Sequence, residues 1–165
     1  MKLFKNVALF LFLAFSLQSF AQTQQVPDIS IKKLDGSTVN IQDYAKNGKI
    51  TVLSFWATWC KPCKLELDVI NEIYGDWVED YDIELVAISI DTRRALAKVP
   101  GLVASKGWEF EVLSDSNSKM PQAMGFQTIP QTYLLDQEGN IVFSHSGYTP
   151  GDEEELEEEI KKLVK

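Results

Sequence analysis

The chain has 165 residues, 45% hydrophobic and 24% charged, which is the length of one domain with enough apolar material for a core. Its formal net charge is −8, and this excludes a surface built to hold nucleic acid or an anionic membrane, both of which need concentrated positive charge. Only two cysteines are present, three positions apart; a loop that short constrains little of the unfolded chain, so a disulfide-stapled scaffold is excluded and redox chemistry is the better reason for the pair.

In chain order, the N-terminus reads as a secretory leader over residues 1–21. Lys2 and Lys5 form a charged start, Val7 to Leu17 carries no charge, and Ser19-Phe20-Ala21 supplies small residues where a signal peptidase reads. Cleavage after Ala21 would leave Gln22 first and take the net charge from −8 to −10. The alternative is an uncleaved membrane anchor, for which the apolar run is short. Residues 22–26 read as a polar linker. Ile29, Ile31, Val39 and Ile41 around Asp35-Gly36 predict a hairpin. Ile50 to Trp56 reads as a strand buried on both faces. Leu65, Val69, Ile70, Ile73, Trp77 and Val78 then recur at helical spacing.

Ile83 to Ile90 is a second buried-strand run. From Arg93 to Lys106 a helical tendency is interrupted by Pro100-Gly101. Phe110 to Leu113 reads as a short extended segment, and Ser118 to Met124 as a short helix ended by Gly125. Thr132 to Leu135 and Ile141 to Ser144 flank Gln137-Glu138-Gly139-Asn140, a second hairpin. The last helix is predicted to start with Thr149 as cap and Pro150 at its first position. Its acidic run, Asp152 to Glu159, reads as a solvated face opposite Leu156 and Ile160. Alternation of strands and helices implies a central sheet covered by helices.

Trp59-Cys60-Lys61-Pro62-Cys63 falls where the first buried strand meets a helix. A sulfur there faces unsatisfied backbone N–H groups and the positive end of the helix dipole, which lowers a thiol pKa and favours the reactive thiolate. Cys60 is expected to be the exposed nucleophile that forms a mixed disulfide, and Cys63, one turn on, the residue that resolves it. A zinc site would need a second ligand pair, and His145 is single. A haem attachment would need His after Cys63, where Lys64 stands. A peroxidatic motif would place Thr three residues before the cysteine, where Ala57 stands. No metal and no cofactor beyond the cysteine pair is expected.

From about Pro27 to Val164 the chain resembles the thioredoxin superfamily, in particular its exported TlpA/ResA-like branch. The resemblance rests on Phe55-Trp56-Ala57-Thr58-Trp59-Cys60-Lys61-Pro62-Cys63-Lys64, on Thr128-Ile129-Pro130, and on the hairpin from Leu134 to Asn140. It implies an α/β thioredoxin-like fold over residues 27–165, with a central mixed sheet flanked by helices, an N-terminal β-hairpin and an insertion between Asp91 and Phe110. It also implies that Pro130 is a cis-proline facing the cysteines, with the backbone of Ile129 beside the sulfurs. Trp59 is expected to be exposed near the site and Trp56 to be core. Ser54 stands where ordinary thioredoxins carry a buried aspartate. Glu66, on the same helix face as Cys63, matches a glutamate held near the site in ResA-like proteins; its other reading is a solvated charge in an early helical turn. His145 reads as a strand residue without catalytic duty.

Motif, leader and resemblance together imply a periplasmic or otherwise extracytoplasmic thiol–disulfide oxidoreductase. It would reduce protein disulfides with electrons from a membrane thiol–disulfide donor, and the resemblance suggests apocytochrome c or general disulfide repair as destinations. The alternatives are a disulfide-forming oxidant of the same fold and a non-enzymatic binding module.

Overall fold

The structure, a computed structural model, describes residues 24–164; the predicted leader lies outside the described residues. Seven strands form one sheet: β1 Ser30–Lys33, β2 Thr38–Asn40, β3 Ile50–Trp56, β4 Ile83–Ser89, β5 Glu111–Ser114, β6 Gln131–Leu135 and β7 Ile141–Ser146. Their order is β2-β1-β5-β4-β3-β6-β7. β3, β4 and β5 are parallel, while β1, β2, β6 and β7 join antiparallel. The expected mixed sheet and N-terminal hairpin are present.

The centre of the sheet is β3 beside β4, and every residue of β3 is buried. Their apolar runs are what a strand covered on both faces requires. Alternate side chains feed two cores. Val52, Trp56, Leu85, Ala87 and Leu134 pack on one face with Cys63, Leu67, Ile70, Leu156 and Ile160. Leu53, Phe55, Val86, Ile88 and Leu135 pack on the other with Ile31, Ile41 and Met120.

The helices are α1 Ile41–Ala45, α2 Lys61–Tyr81, α3 Val99–Lys106, α4 Lys119–Met124 and α5 Asp152–Lys161, with a 3-10 turn at Leu96–Lys98. α1 departs from the sequence expectation, which runs Ile41 on as a strand residue. Asn40 and Asp43 form a capping box that turns the chain into a helix there. Pro100 does not break the insertion. It occupies the first turn of α3, where its missing N–H costs no bond, and Gly107 ends the helix at φ 65°.

α5 starts two residues later than expected. Gly151, at φ 108°, is its cap residue, and Thr149 donates its backbone N–H to the Asp152 carboxylate instead of capping. The end of the predicted linker is docked: Ile141 N–H donates to Gln24 O, Gln25 bridges Asn140, and Val26 is buried.

The phase of α2 is also shifted. Its buried face runs through Cys63, Glu66, Leu67, Ile70 and Trp77, whereas Leu65 and Val78, expected inside, are exposed. A carboxylic acid holds a core position that a count of apolar residues assigns elsewhere.

Candidate active site

Cys60 is the N-cap residue of α2, with extended backbone, and the Cys63 N–H donates to its sulfur at 3.3 Å. The two cysteines are joined in a disulfide, with Cα atoms 5.4 Å apart. The sulfur of Cys60 therefore sits where the first turn of a 21-residue helix presents unpaired N–H groups. Pro62 lies in that first turn, as the sequence suggests.

The bond Ile129-Pro130 is cis, and the Ile129 carbonyl oxygen lies 3.9 Å from Cys60 Sγ. Pro130 O in turn accepts from Gly147 N–H at 2.8 Å, tying this loop to the end of β7. Cys60, Cys63, Ile129 and Pro130 thus converge. Trp59 projects into solvent, 68% exposed, and Trp56 is core. One expectation fails: Cys60 is 4% exposed, not open. Its sulfur is bonded to Cys63 over the first turn of α2, and Ile129 O lies against it at 3.9 Å.

The loop before Cys60 is held by three hydrogen bonds to Thr58, from two residues. Asp91, fully buried, accepts from Thr58 N–H at 2.8 Å and Thr58 Oγ1 at 2.7 Å. Lys64 Nζ donates to Thr58 O at 2.9 Å. Asp91 is itself braced by Ser89 Oγ at 2.9 Å.

Glu66 is buried, 4% exposed. Thr132 Oγ1 donates to one carboxylate oxygen at 2.8 Å and Ser54 Oγ to the other at 3.4 Å. Burial pushes its pKa up from 4.5 to about 7, because a charged carboxylate is poorly solvated there; the two hydroxyls offset this only in part. Of its two sequence readings, the solvated charge is wrong. Thr132, His145 and Asp152 escape sequence reasoning as a group. Ser54 pairs with Thr132 across β3 and β6, and Thr132 with His145 across β6 and β7. Sheet register brings Ser54, Thr132 and His145 together, and the start of α5 adds Asp152 beside His145.

A model of the AhpC/TSA family matches residues 23–144. The chain belongs to the AhpC/TSA family. Within it, the chain is similar to the thiol-disulfide oxidoreductase ResA of Bacillus anthracis, 30% identical over 141 residues, 86% of this chain and 78% of the relative. Among solved structures it resembles a thioredoxin-like protein from Porphyromonas gingivalis, 42% identical, covering 84% of this chain and 91% of that one with TM-score 0.75. It also resembles a Chlorobium tepidum protein provisionally named thiol:disulfide interchange protein DsbE, 26% identical, covering 89% and 100%, TM-score 0.77. This AhpC/TSA-family member is a thiol–disulfide oxidoreductase of thioredoxin-like fold, with a Cys-x-x-Cys pair at the start of α2.

Proposed function

We propose that the chain reduces protein disulfides outside the cytoplasm, with Cys60 as nucleophile and Cys63 as resolving thiol. The observation that carries the division of labour is the cap position of Cys60: its sulfur accepts an N–H of the helix's first turn, which lowers the thiol pKa and stabilises a thiolate. Cys63, fully buried behind it, is placed to attack Cys60 Sγ once that sulfur is bonded to a partner. In the cycle, Cys60 thiolate attacks a partner disulfide. One partner sulfur leaves as thiolate and the other stays bonded to Cys60. Cys63 loses its proton to the Glu66 carboxylate and attacks Cys60 Sγ, releasing the second partner thiol and leaving the Cys60–Cys63 disulfide. A membrane thiol–disulfide donor then returns two electrons. No cofactor enters this scheme.

Ile129 supports an extended partner segment with its backbone, Pro130 fixes that backbone beside the sulfur, and exposed Trp59 offers an apolar contact at the rim. Export is supported by the leader at residues 1–21. Among the described residues, no helix is long and apolar enough to cross a membrane. Reduction rather than oxidation is supported by Glu66, whose charge opposes the thiolate form that a strong oxidant must stabilise.

Insulin reduction with a dithiol donor tests the activity. Cys60→Ser is expected to abolish turnover and Cys63→Ser to accumulate a mixed disulfide with the partner. Trapping by Cys60→Ser instead would reverse the two roles, and no insulin reduction by the native chain would leave only a binding module. Mass spectrometry of the exported protein is expected to find Gln22 first; an intact residue 1–21 segment in the membrane fraction would establish an anchor.

A further inference from the structure

The resolving step releases a proton from Cys63, and the buried carboxyl of Glu66 is the titratable group one helical turn away. That carboxyl is 4% exposed. A cavity of about 10 Å³ beside it is lined by Glu66, Thr132, His145, Asp152 and Glu153 and by three apolar side chains. That is room for about one water molecule.

Facing Glu66 are Ser54 from β3, Thr132 from β6, His145 from β7, Asp152 and Glu153 from the start of α5, and Tyr148 from the segment between β7 and α5. Glu153 is engaged by Tyr148 Oη at 2.8 Å and by Gly151 N–H at 3.0 Å. His145 is different. Its Nε2 lies 3.0 Å from Asp152 Oδ2, it is partly exposed, and its ring stacks on Phe143. One imidazole thus touches both the cavity and the solvent. An imidazole has two ring nitrogens, one able to accept a proton while the other donates one.

We propose that His145, oriented by Asp152, is the port through which Glu66 exchanges its proton with solvent. The inference rests on the proposed function, in which Glu66 takes the Cys63 proton. The proton passes from Cys63 to the Glu66 carboxylate, then through the cavity to the imidazole, then to bulk water. The S–S exchange is unchanged: Cys63 thiolate bonds to Cys60 Sγ, and the electron pair leaves with the partner's sulfur. His145 and Asp152 are positioning and proton-transfer residues that touch no substrate.

The test is stopped-flow reaction of the reduced full chain with 5,5′-dithiobis(2-nitrobenzoate). Attack by Cys60 releases one thionitrobenzoate, and resolution by Cys63 releases the second. At pH 6 Glu66 must unload its proton before it can act. There His145→Ala is expected to slow the second phase about tenfold, within the range of general acid–base effects, with the first phase unchanged. At pH 8.5 Glu66 is already ionised, and the second phases should coincide. Imidazole in solution should restore the pH 6 rate, and Asp152→Asn should be slowed in the same direction but less. Equal second phases at pH 6 would overturn the port. So would slowing at both pH values, or slowing that imidazole does not relieve, since lost packing or lost charge would give those. Glu66→Gln separates the two claims. It should slow the second phase at both pH values; if it does not, the role of Glu66 itself fails, whereas a slow Glu66→Gln beside an unaffected His145→Ala removes the port alone.

Discussion

Glu66 couples the site to the stability of the whole chain. In the unfolded chain it ionises near 4.5, and in the fold near 7. Between those values the folded form keeps a proton that the unfolded form has released, so stability falls as pH rises across that window. The loss is fully developed above about pH 7 and amounts to on the order of 3 kcal/mol, from about 1.4 kcal/mol per pKa unit. Glu66→Gln has no such slope. Its amide oxygen can still accept from Thr132. The variant is therefore expected to gain stability relative to the native chain between pH 5 and pH 8, in urea titrations of the oxidised protein. Parallel curves would show that the carboxyl is solvated. In the reduced protein the same variant removes a negative charge from beside the thiols. The apparent pKa of the coupled cysteine pair should then fall, which alkylation rate against pH would read; superimposable profiles would make Glu66 a bystander.

At the scale of elements, the loop between β3 and α2 is positioned by a residue of the next crossover. Asp91 is buried and receives both the N–H and the hydroxyl of Thr58. Asp91→Ala would strand that N–H without a partner, and bonds to a charged acceptor are each worth about 1.5–3 kcal/mol. The expected cost is about 3 kcal/mol in urea unfolding, with the slope unchanged and with Cys60 becoming more accessible to alkylation. A loss under about 0.5 kcal/mol would mean that Lys64 alone holds the loop.

That interaction also marks the limit of what the chain reveals when read linearly. The β3–α2 unit is legible because Ile50 to Trp56 is an unbroken apolar run and the cysteine motif follows it directly. The two hairpins are legible from Asp35-Gly36 and Gly139-Asn140. α1 is hidden because Ile41 continues an alternation, although Asn40 and Asp43 carry the capping signal. The phase of α2 is misleading at Leu65 and Val78 because apolar periodicity cannot count a buried acid. The cysteines and, through resemblance, Pro130 stand out from local motifs. The set Ser54, Thr132 and His145 does not, because only register between distant strands aligns it.

At the scale of the whole molecule, the direction of electron flow depends on which redox form of the pair the fold favours. Disulfide oxidants reach potentials near about −120 mV because their reduced, thiolate-bearing form is heavily stabilised, whereas a general reductant lies near about −270 mV. In this chain the helix N-terminus at Cys60 favours a thiolate, while Glu66 behind Cys63 opposes it once ionised. The acidic balance of the chain, −8 overall, supplies no compensating positive field. The potential measured against glutathione is therefore expected nearer the reductant end, and a value near about −120 mV would overturn the reductase reading. Glu66→Gln should raise the potential, because the reduced form no longer meets that charge. The shift must depend on pH in a particular sense. Below about pH 7 Glu66 is protonated, so native and variant potentials should converge. Above it the native carboxylate is charged and the gap should open, reaching about 30 mV if the pair's apparent pKa falls by one unit, since about 1.4 kcal/mol corresponds to about 30 mV for two electrons. A constant gap at every pH would point to altered packing rather than to charge, and a gap of opposite sign would mean that Glu66 stabilises the dithiol as a hydrogen-bonding acid.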